Sequence, residues 1–193
     1  MRHDNIRNLE ASLLREVCKD VKVEPNLLPI GNAETESKNQ AAKARLDVSA
    51  IGVWSAMERT FLDVRVMHMN SPSYMNKSPE ELYHQHEQQK KRAYNHRIID
   101  VEKGSFSPLV FSTTGGMGPE CTRFHKRLAE LISVKRGESY ADTMNYIRTR
   151  TRISILRSSL IAVRGERGKR RRSNTNIQDV SFNLIPERDT YEV

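Results

Sequence analysis

Two aspartates lie sixteen positions apart in two short apolar runs, Arg45-Leu-Asp47-Val-Ser-Ala-Ile51 and Phe61-Leu-Asp63-Val-Arg65-Val66. Aspartate is a poor strand former, so two acids in adjacent strands need a reason. Hard carboxylate oxygens on neighbouring strands can hold Mg²⁺ (or Mn²⁺) while leaving positions open for water and a phosphate oxygen. A cation held there lowers the pKa of a water nucleophile and offsets charge on a scissile phosphate. A nearby lysine can orient or deprotonate that water and stabilise the developing charge. Lys90, in the run Glu87-Gln-Gln-Lys90-Lys-Arg-Ala-Tyr94, is the candidate. Two aspartates on a solvated sheet face have the same spacing, and spacing alone does not choose between the two.

Glu87, Lys90 and Tyr94 fall at i, i+3 and i+7, one face of a helix. Glu87 and Tyr94 there can orient Lys90 or contact a nucleic-acid backbone, whereas a solvated face with an ion pair is the plainer alternative. Lys91 and Arg92 point elsewhere and can meet phosphates, as can Arg65 on the second strand. Glu10, on an amphipathic N-terminal segment, can add an oxygen ligand directly or through water; it is also one helix carboxylate among several. Gly115-Gly-Met-Gly118 precedes a helix but lacks the Gly-Lys-Ser/Thr ending of a phosphate loop, so it reads as a tight turn. His84 and His86 do not share a helix face, and no Cys or His set has zinc spacing. No serine has a triad or nucleophile-elbow context.

The chain of 193 residues is long enough for one domain with its own core. At 37% hydrophobic and 29% charged residues it reads as a polar domain, with no apolar run near transmembrane length. The N-terminal residues do not resemble a signal peptide. Cys18 and Cys121 read as two reduced thiols of an intracellular protein. The net charge of +8 is unevenly spread. Residues 164 to 172 hold six basic side chains against Glu166, a surplus of five, which leaves three for everything else. A polyanionic partner is therefore supported mainly by the basic tail. Within it, Lys169, Arg170, Arg171 and Arg172 suit a nuclear-import signal or phosphate contacts.

These side chains need elements to position them. Ile6, Leu9, Leu13, Leu14 and Val17 form one stripe, which predicts a helix over His3 to Lys19. Val21 to Glu24 reads as a short strand stopped by Pro25. Asn32 to Lys43 is polar and aperiodic, an exposed loop. Arg45 to Ile51 and Phe61 to Val66 alternate, predicting an antiparallel hairpin. Leu46, Val48 and Ala50 should face one way and Asp47 and Ser49 the other; Leu62, Val64 and Val66 should oppose Phe61, Asp63 and Arg65. Ser78-Pro79-Glu80-Glu81 is a capping box with proline at the first helical position, opening a helix to about His96. Ile98 to Val101 and Phe106 to Ser112 read as a second strand pair. A helix from Pro119 to about Lys135 follows, and a last helix from Ser139 to about Val163. Val180 to Ile185 suits an added strand. The fold class is mixed α/β, a sheet packed against helices, with a domain over 1–165 and a basic tail over 166–193.

An acid on one strand, an acid two residues before a basic residue on the next, and then a helix with Lys-x-x-x-Tyr resembles the PD-(D/E)XK restriction-like nuclease superfamily. More narrowly, the chain resembles the C-terminal endonuclease domain of site-specific non-LTR retrotransposons, in which an Arg-His-Asn/Asp motif opens the domain and a Glu-Pro follows the first strand. Here these are Arg2-His3-Asp4 and Glu24-Pro25. The paired acids would be Asp47 and Asp63, and the displaced lysine and its tyrosine Lys90 and Tyr94. Phe61 to Val66, Lys90 to Tyr94 and Gly104 to Gly118 also resemble uncharacterised invertebrate proteins of transposon type. The resemblance covers roughly residues 2 to 165. It implies a restriction-endonuclease-like αβββαβ core with two further C-terminal helices, Mg²⁺-dependent DNA cleavage, and target-strand nicking that primes reverse transcription.

The chain departs from that pattern at three places. Leu46, not proline, precedes Asp47. Arg65 stands two residues after Asp63, and arginine stays protonated and cannot be a base, so the lysine must come from Lys90. Those elements also carry a Cys/His zinc motif just upstream of Arg-His and a polymerase domain, which this sequence does not contain; a fragment of a longer element or a domesticated remnant is the expectation. The resulting expectation is a metal-dependent DNA endonuclease in the nucleus. The alternatives are a non-catalytic DNA-binding module on the same fold and a protein-interaction domain without a nucleic-acid role.

Overall fold

The computed structural model describes residues 2–28 and 45–168. The loop expected over Asn32 to Lys43, the basic run Lys169 to Arg172 and the Val180 to Ile185 strand lie outside the described residues. In order, the elements are α1 (Arg2–Val17), β1 (Lys19–Val23), β2 (Val48–Ile51), β3 (Arg59–Met67), a 3₁₀ turn (Pro72–Tyr74), α2 (Pro79–Asp100), β4 (Ser105–Ser112), α3 (Pro119–Arg136) and α4 (Tyr140–Gly168). The four strands form one mixed sheet in the order β1-β2-β3-β4. β1, β2 and β3 are an antiparallel meander. β4 returns through α2 to lie parallel to β3, with Asp63 opposite Pro108. No described helix is long and apolar enough to cross a membrane.

Alternation along β3 builds two layers. Leu62 and Val64 join Val48, Ala50, Leu109 and Phe111 in a core closed by Ile6, Leu13 and Leu14 of α1, Phe124 and Leu128 of α3, and Ile147 and Ile155 of α4. Phe61, on the opposite face, packs with Ile98 of α2 and Phe106 of β4. One sheet face thus carries three helices and the other carries α2, which runs alongside β3 and β4. A side chain on α2 pointing inward meets the Phe61–Asp63–Arg65 face of β3. That placement matters for the site.

The ends of the elements follow local chemistry. Ser78 caps α2: its hydroxyl accepts the Glu81 N–H, and the Glu81 carboxylate accepts the Ser78 N–H. Gly137 closes α3 in the left-handed conformation at φ 68°, the usual glycine solution for a helix C-terminus. Met117 bridges back to Phe111, and the Gly118 N–H donates to Val110 O, so the glycine-rich loop is a tight turn.

Lys19, expected in the first helix, opens β1, and Glu24 lies just past that strand; three further differences bear on the site or its surroundings. Ile98 to Val101 is not a strand but the end of α2, because Tyr94 and Ile98, one helical turn apart, enter the same apolar cluster. The chain then turns through Lys103 at φ 54° and Gly104. A Cβ on Gly104 would run into the carbonyl oxygen of Arg59, so the turn lies too close to β3 for any other residue. β2 begins at Val48 rather than Arg45; Arg45 makes only an isolated bridge to Asn26. Leu46 therefore escapes the strand alternation and packs beside Phe61 instead of with Val48 and Ala50. Finally, α4 continues past Val163 to Gly168, so the helix includes the start of the basic segment.

Candidate functional site

Asp47 is held just before β2 by both neighbouring strands. Its N–H donates to Leu62 O at 3.1 Å, and its carbonyl accepts the Glu24 N–H at 2.9 Å. Glu24 achieves this in the left-handed region, at φ 50°, a conformation that a non-glycine residue adopts only when its surroundings hold it. Its carboxylate, half exposed, pairs with Arg7 of α1 and with Arg45 at 3.6 Å. The Asp47 side chain turns toward β3, where Oδ2 accepts the Val64 N–H at 2.6 Å. That amide lies where the β2–β3 ladder ends, so Asp47 satisfies it in place of a strand partner. The aspartate expected in mid-strand is thus at a strand start, a place that suits its chemistry better.

The same oxygen is 3.0 Å from Nε2 of His3. Hydrogen bonding to Asp47 pushes the His3 imidazole up from its ordinary value, against the opposing effect of partial burial. His3 was not among the site residues chosen from sequence, although Arg2-His3-Asp4 was part of the resemblance. No helical periodicity could have shown that its ring reaches a residue 44 positions away.

Asp63 is in mid-strand as expected and is only 6% exposed. The Lys90 Nζ of α2 lies 2.7 Å from its Oδ2. The ammonium, with three rotatable N–H groups, occupies that buried oxygen. Burial pushes the Asp63 carboxyl up, Lys90 opposes that shift, and the nearby Asp47 charge adds to it. The ammonium also sits 5.8 Å from the Tyr94 ring centroid. Tyr94 is half-buried against Phe106, with ring centroids 5.6 Å apart. Its phenol is pushed up by burial first and then by the charges of Asp63 and Asp47. Asp47, Asp63, Lys90 and Tyr94 therefore share one electrostatic environment, built from the β2 start, mid-β3 and α2.

Two expected members belong elsewhere. Glu87 is buried, and its Oε1 accepts the Glu120 N–H at 2.9 Å, at the start of α3. The capping position before α3 is Gly118, which has no side chain to cap it, and a Cβ there would collide with Oε1 of Glu87. Glu87 thus caps α3 from another helix instead of orienting Lys90, which corrects the reading from i,i+3 spacing. Glu10 is fully buried, with Oε1 3.0 Å from Nε2 of His125 in the core between α1 and α3. Its Oε2 is buried there without a hydrogen-bond partner, and Glu10 does not gather with the two aspartates into a metal-binding group.

The basic residues are also sorted. Lys91 pairs with Glu120 at 2.5 Å and is not free for phosphate. Arg65 donates to Gln89 Oε1 at 2.8 Å on an exposed edge. Arg92 is exposed.

Asp47 and Asp63 are the two carboxylates of this environment that could hold a divalent cation. The Asp47 charge adds to the cost of ionising Asp63, whose buried Oδ2 is a hard oxygen paired with Lys90. Among the described residues no group of three or more His, Cys, Asp or Glu side chains is arranged to hold a metal ion. Two carboxylates suffice for Mg²⁺, which keeps several waters and completes its shell with substrate phosphate. Neither models of known protein families nor curated proteins give a match to this chain.

Proposed function

We propose that this protein is a metal-dependent DNA endonuclease of retrotransposon type, built on a restriction-endonuclease-like core, that nicks a target strand. The observation that carries the reading is the contact of Lys90 Nζ with Asp63 Oδ2 at 2.7 Å. With Arg65 unable to act as a base, the site needs a lysine from outside β3, and α2 supplies one. The order α1, β1–β3, α2, β4, with β4 parallel to β3, supports the reading, since the resemblance implies that order of elements.

In this reading Asp47 and Asp63 would hold Mg²⁺ or Mn²⁺. The bound cation supplies a water of lowered pKa and charge stabilisation at the phosphate. Lys90 donates hydrogen bonds from Nζ to the attacking water or to a non-bridging phosphate oxygen, which favours the more highly charged transition state. Tyr94 holds the aliphatic stem and ammonium of Lys90 over Asp63 by packing. His3 and the Val64 N–H fix the Asp47 carboxylate by binding Oδ2, leaving its other oxygen for the cation. Arg65, Arg92 and the basic residues from Lys169 to Arg172 contact the DNA backbone, and the latter run suits import into the nucleus. DNA affinity then falls steeply with salt.

The test is nicking of supercoiled plasmid with Mg²⁺ or Mn²⁺. Wild type should nick and Asp63→Asn should not, with EDTA abolishing the activity. Equal activity in both proteins would end the proposal. One observation favours a second reading, a DNA-binding module without catalysis: each aspartate already has a basic neighbour, His3 for Asp47 and Lys90 for Asp63. Salt-sensitive DNA binding in EDTA with no cleavage under any divalent metal would select it.

A further inference from the structure

Helix α4 buries one face and leaves a second apolar stripe on the opposite side. Met144, Ile147, Thr151, Ile155 and Ser158 are buried against the body of the domain. Ile153, Leu156 and Leu160 are 55%, 57% and 59% exposed. At 100° per residue these three lie nearly opposite the buried face. Their spacing of three and then four is the a–d–a spacing of one heptad. Extended backward, the register reaches Thr149 and Tyr146; the Tyr146 ring is covered by the Arg136 and Arg150 guanidiniums at 5.2 and 5.4 Å.

Arginines border the stripe on both sides. Arg150 and Arg157 directly follow seam positions on one side, and Arg152 precedes one on the other. All three are exposed, and no ion pair forms on this face among the described residues. Residues 143 to 161 contain four arginines and no Asp or Glu.

We infer that this face of α4 docks an acidic amphipathic helix of a partner protein in a two-helix coiled coil. Ile153, Leu156 and Leu160 form the seam, and Arg150, Arg152 and Arg157 pair with carboxylates on the partner. The charge pattern selects this occupant. A second copy of the chain would set Arg152 against Arg157, or arginine against its own equivalent, and like charges beside a seam repel. DNA would satisfy the arginines but would leave three aliphatic side chains against solvated phosphates. Ile161, 44% exposed, widens the apolar face at its edge, and the vesicle arm of the experiment separates a lipid surface from the partner helix. The inference is independent of the aspartate site and of any nuclease activity.

The experiment uses the full chain and two labelled peptides of about four heptads, with Leu and Ile at the seam. One peptide carries Glu and the other Lys at every flanking position, and binding is read by fluorescence anisotropy. The Glu peptide should bind at least about tenfold more tightly than the Lys peptide, and the difference should shrink with salt. The double variant Arg152→Glu/Arg157→Glu should reverse the preference. Leu156→Ser/Leu160→Ser should abolish binding without changing the thermal midpoint, because both side chains are exposed. Three results would overturn the inference: no binding of the Glu peptide, equal binding of both peptides, or a concentration-dependent dimer in sedimentation that the Leu→Ser double variant dissolves. Docking to vesicles of anionic lipid in place of the Glu peptide would overturn it as well.

Discussion

Asp63 and Lys90 form a pair whose two halves are unequal, and the inequality sets what each substitution does to stability. Asp63 is 6% exposed, whereas 23% of the Lys90 side chain reaches solvent. At 2.7 Å and an effective dielectric of about 20, the attraction is about 6 kcal/mol. Burial nevertheless leaves the Asp63 carboxyl above its ordinary range, so the cost of desolvating the carboxylate outweighs the attraction. Asp63→Asn removes both together and lets Lys90 turn to water. Its stability at pH 7 should fall within about 1 kcal/mol of wild type, or exceed it. Lys90→Met removes the attraction and leaves a buried carboxylate, at a cost of about 3 kcal/mol. The sign of the pH dependence follows. A carboxyl whose folded-state pKa exceeds its unfolded value near 3.8 stabilises the fold below that value and loses the contribution as pH rises through the folded-state pKa. The Lys90→Met deficit should therefore be large at pH 7.5 and fade as the pH falls toward 4. Urea unfolding at both pH values, followed by circular dichroism and by the fluorescence of Trp54, measures it. A Lys90→Met variant as stable as wild type at pH 7.5, or an Asp63→Asn variant destabilised as much as Lys90→Met, would refute the reasoning.

Other substitutions read out the surrounding structure. Hydrogen bonding to Asp47 raises the His3 pKa, so its share of stability is complete below about 6.5 and is lost as pH rises through the raised value; in NMR titrations Asp47→Asn should move the His3 ring back toward the ordinary range, and an unmoved titration would remove His3 from the site. Glu87→Ala uncaps α3 and should cost about 1 kcal/mol in chemical denaturation, while Glu87→Gln, which keeps an acceptor oxygen, should cost less; equal losses would show that the cap is not the source. Burial raises both thiols, that of fully buried Cys121 well above its usual value, so a thiol reagent should label Cys18 slowly and Cys121 only on unfolding.

The parts of the molecule legible in the sequence are those set by short-range chemistry. The Ser78–Glu81 capping box fixes the start of α2 because its hydrogen bonds close within one turn. The α1 stripe and the alternation of Phe61 to Val66 are visible because helices repeat every 3.6 residues and strands every two. Asp63 could therefore be assigned to the Phe61 face of β3 from sequence, and the structure puts α2 on that face. The strand expected at Ile98 to Val101 failed because a short apolar run has no periodicity of its own, and its helical partner Tyr94 lies outside it.

Which side chains meet across the fold is a different matter. The spacing of Glu87 from Lys90 suits an ion pair, yet Glu87 turns to an uncapped helix 33 residues downstream because the N–H groups there have no nearer acceptor. Glu10 looks like any helix carboxylate until His125 comes to lie beside it in the core. His3, Glu24 and Asp47 form one brace only because β1 ends against the start of β2. The sequence by itself determined the residue types able to do chemistry and the elements that carry them, since composition and period act locally. Only the tertiary structure decided the partners. A carboxylate joins whichever donor the packed sheet and helices bring within hydrogen-bond reach, and for Asp63 that donor is Lys90, delivered by the crossover helix between two parallel strands.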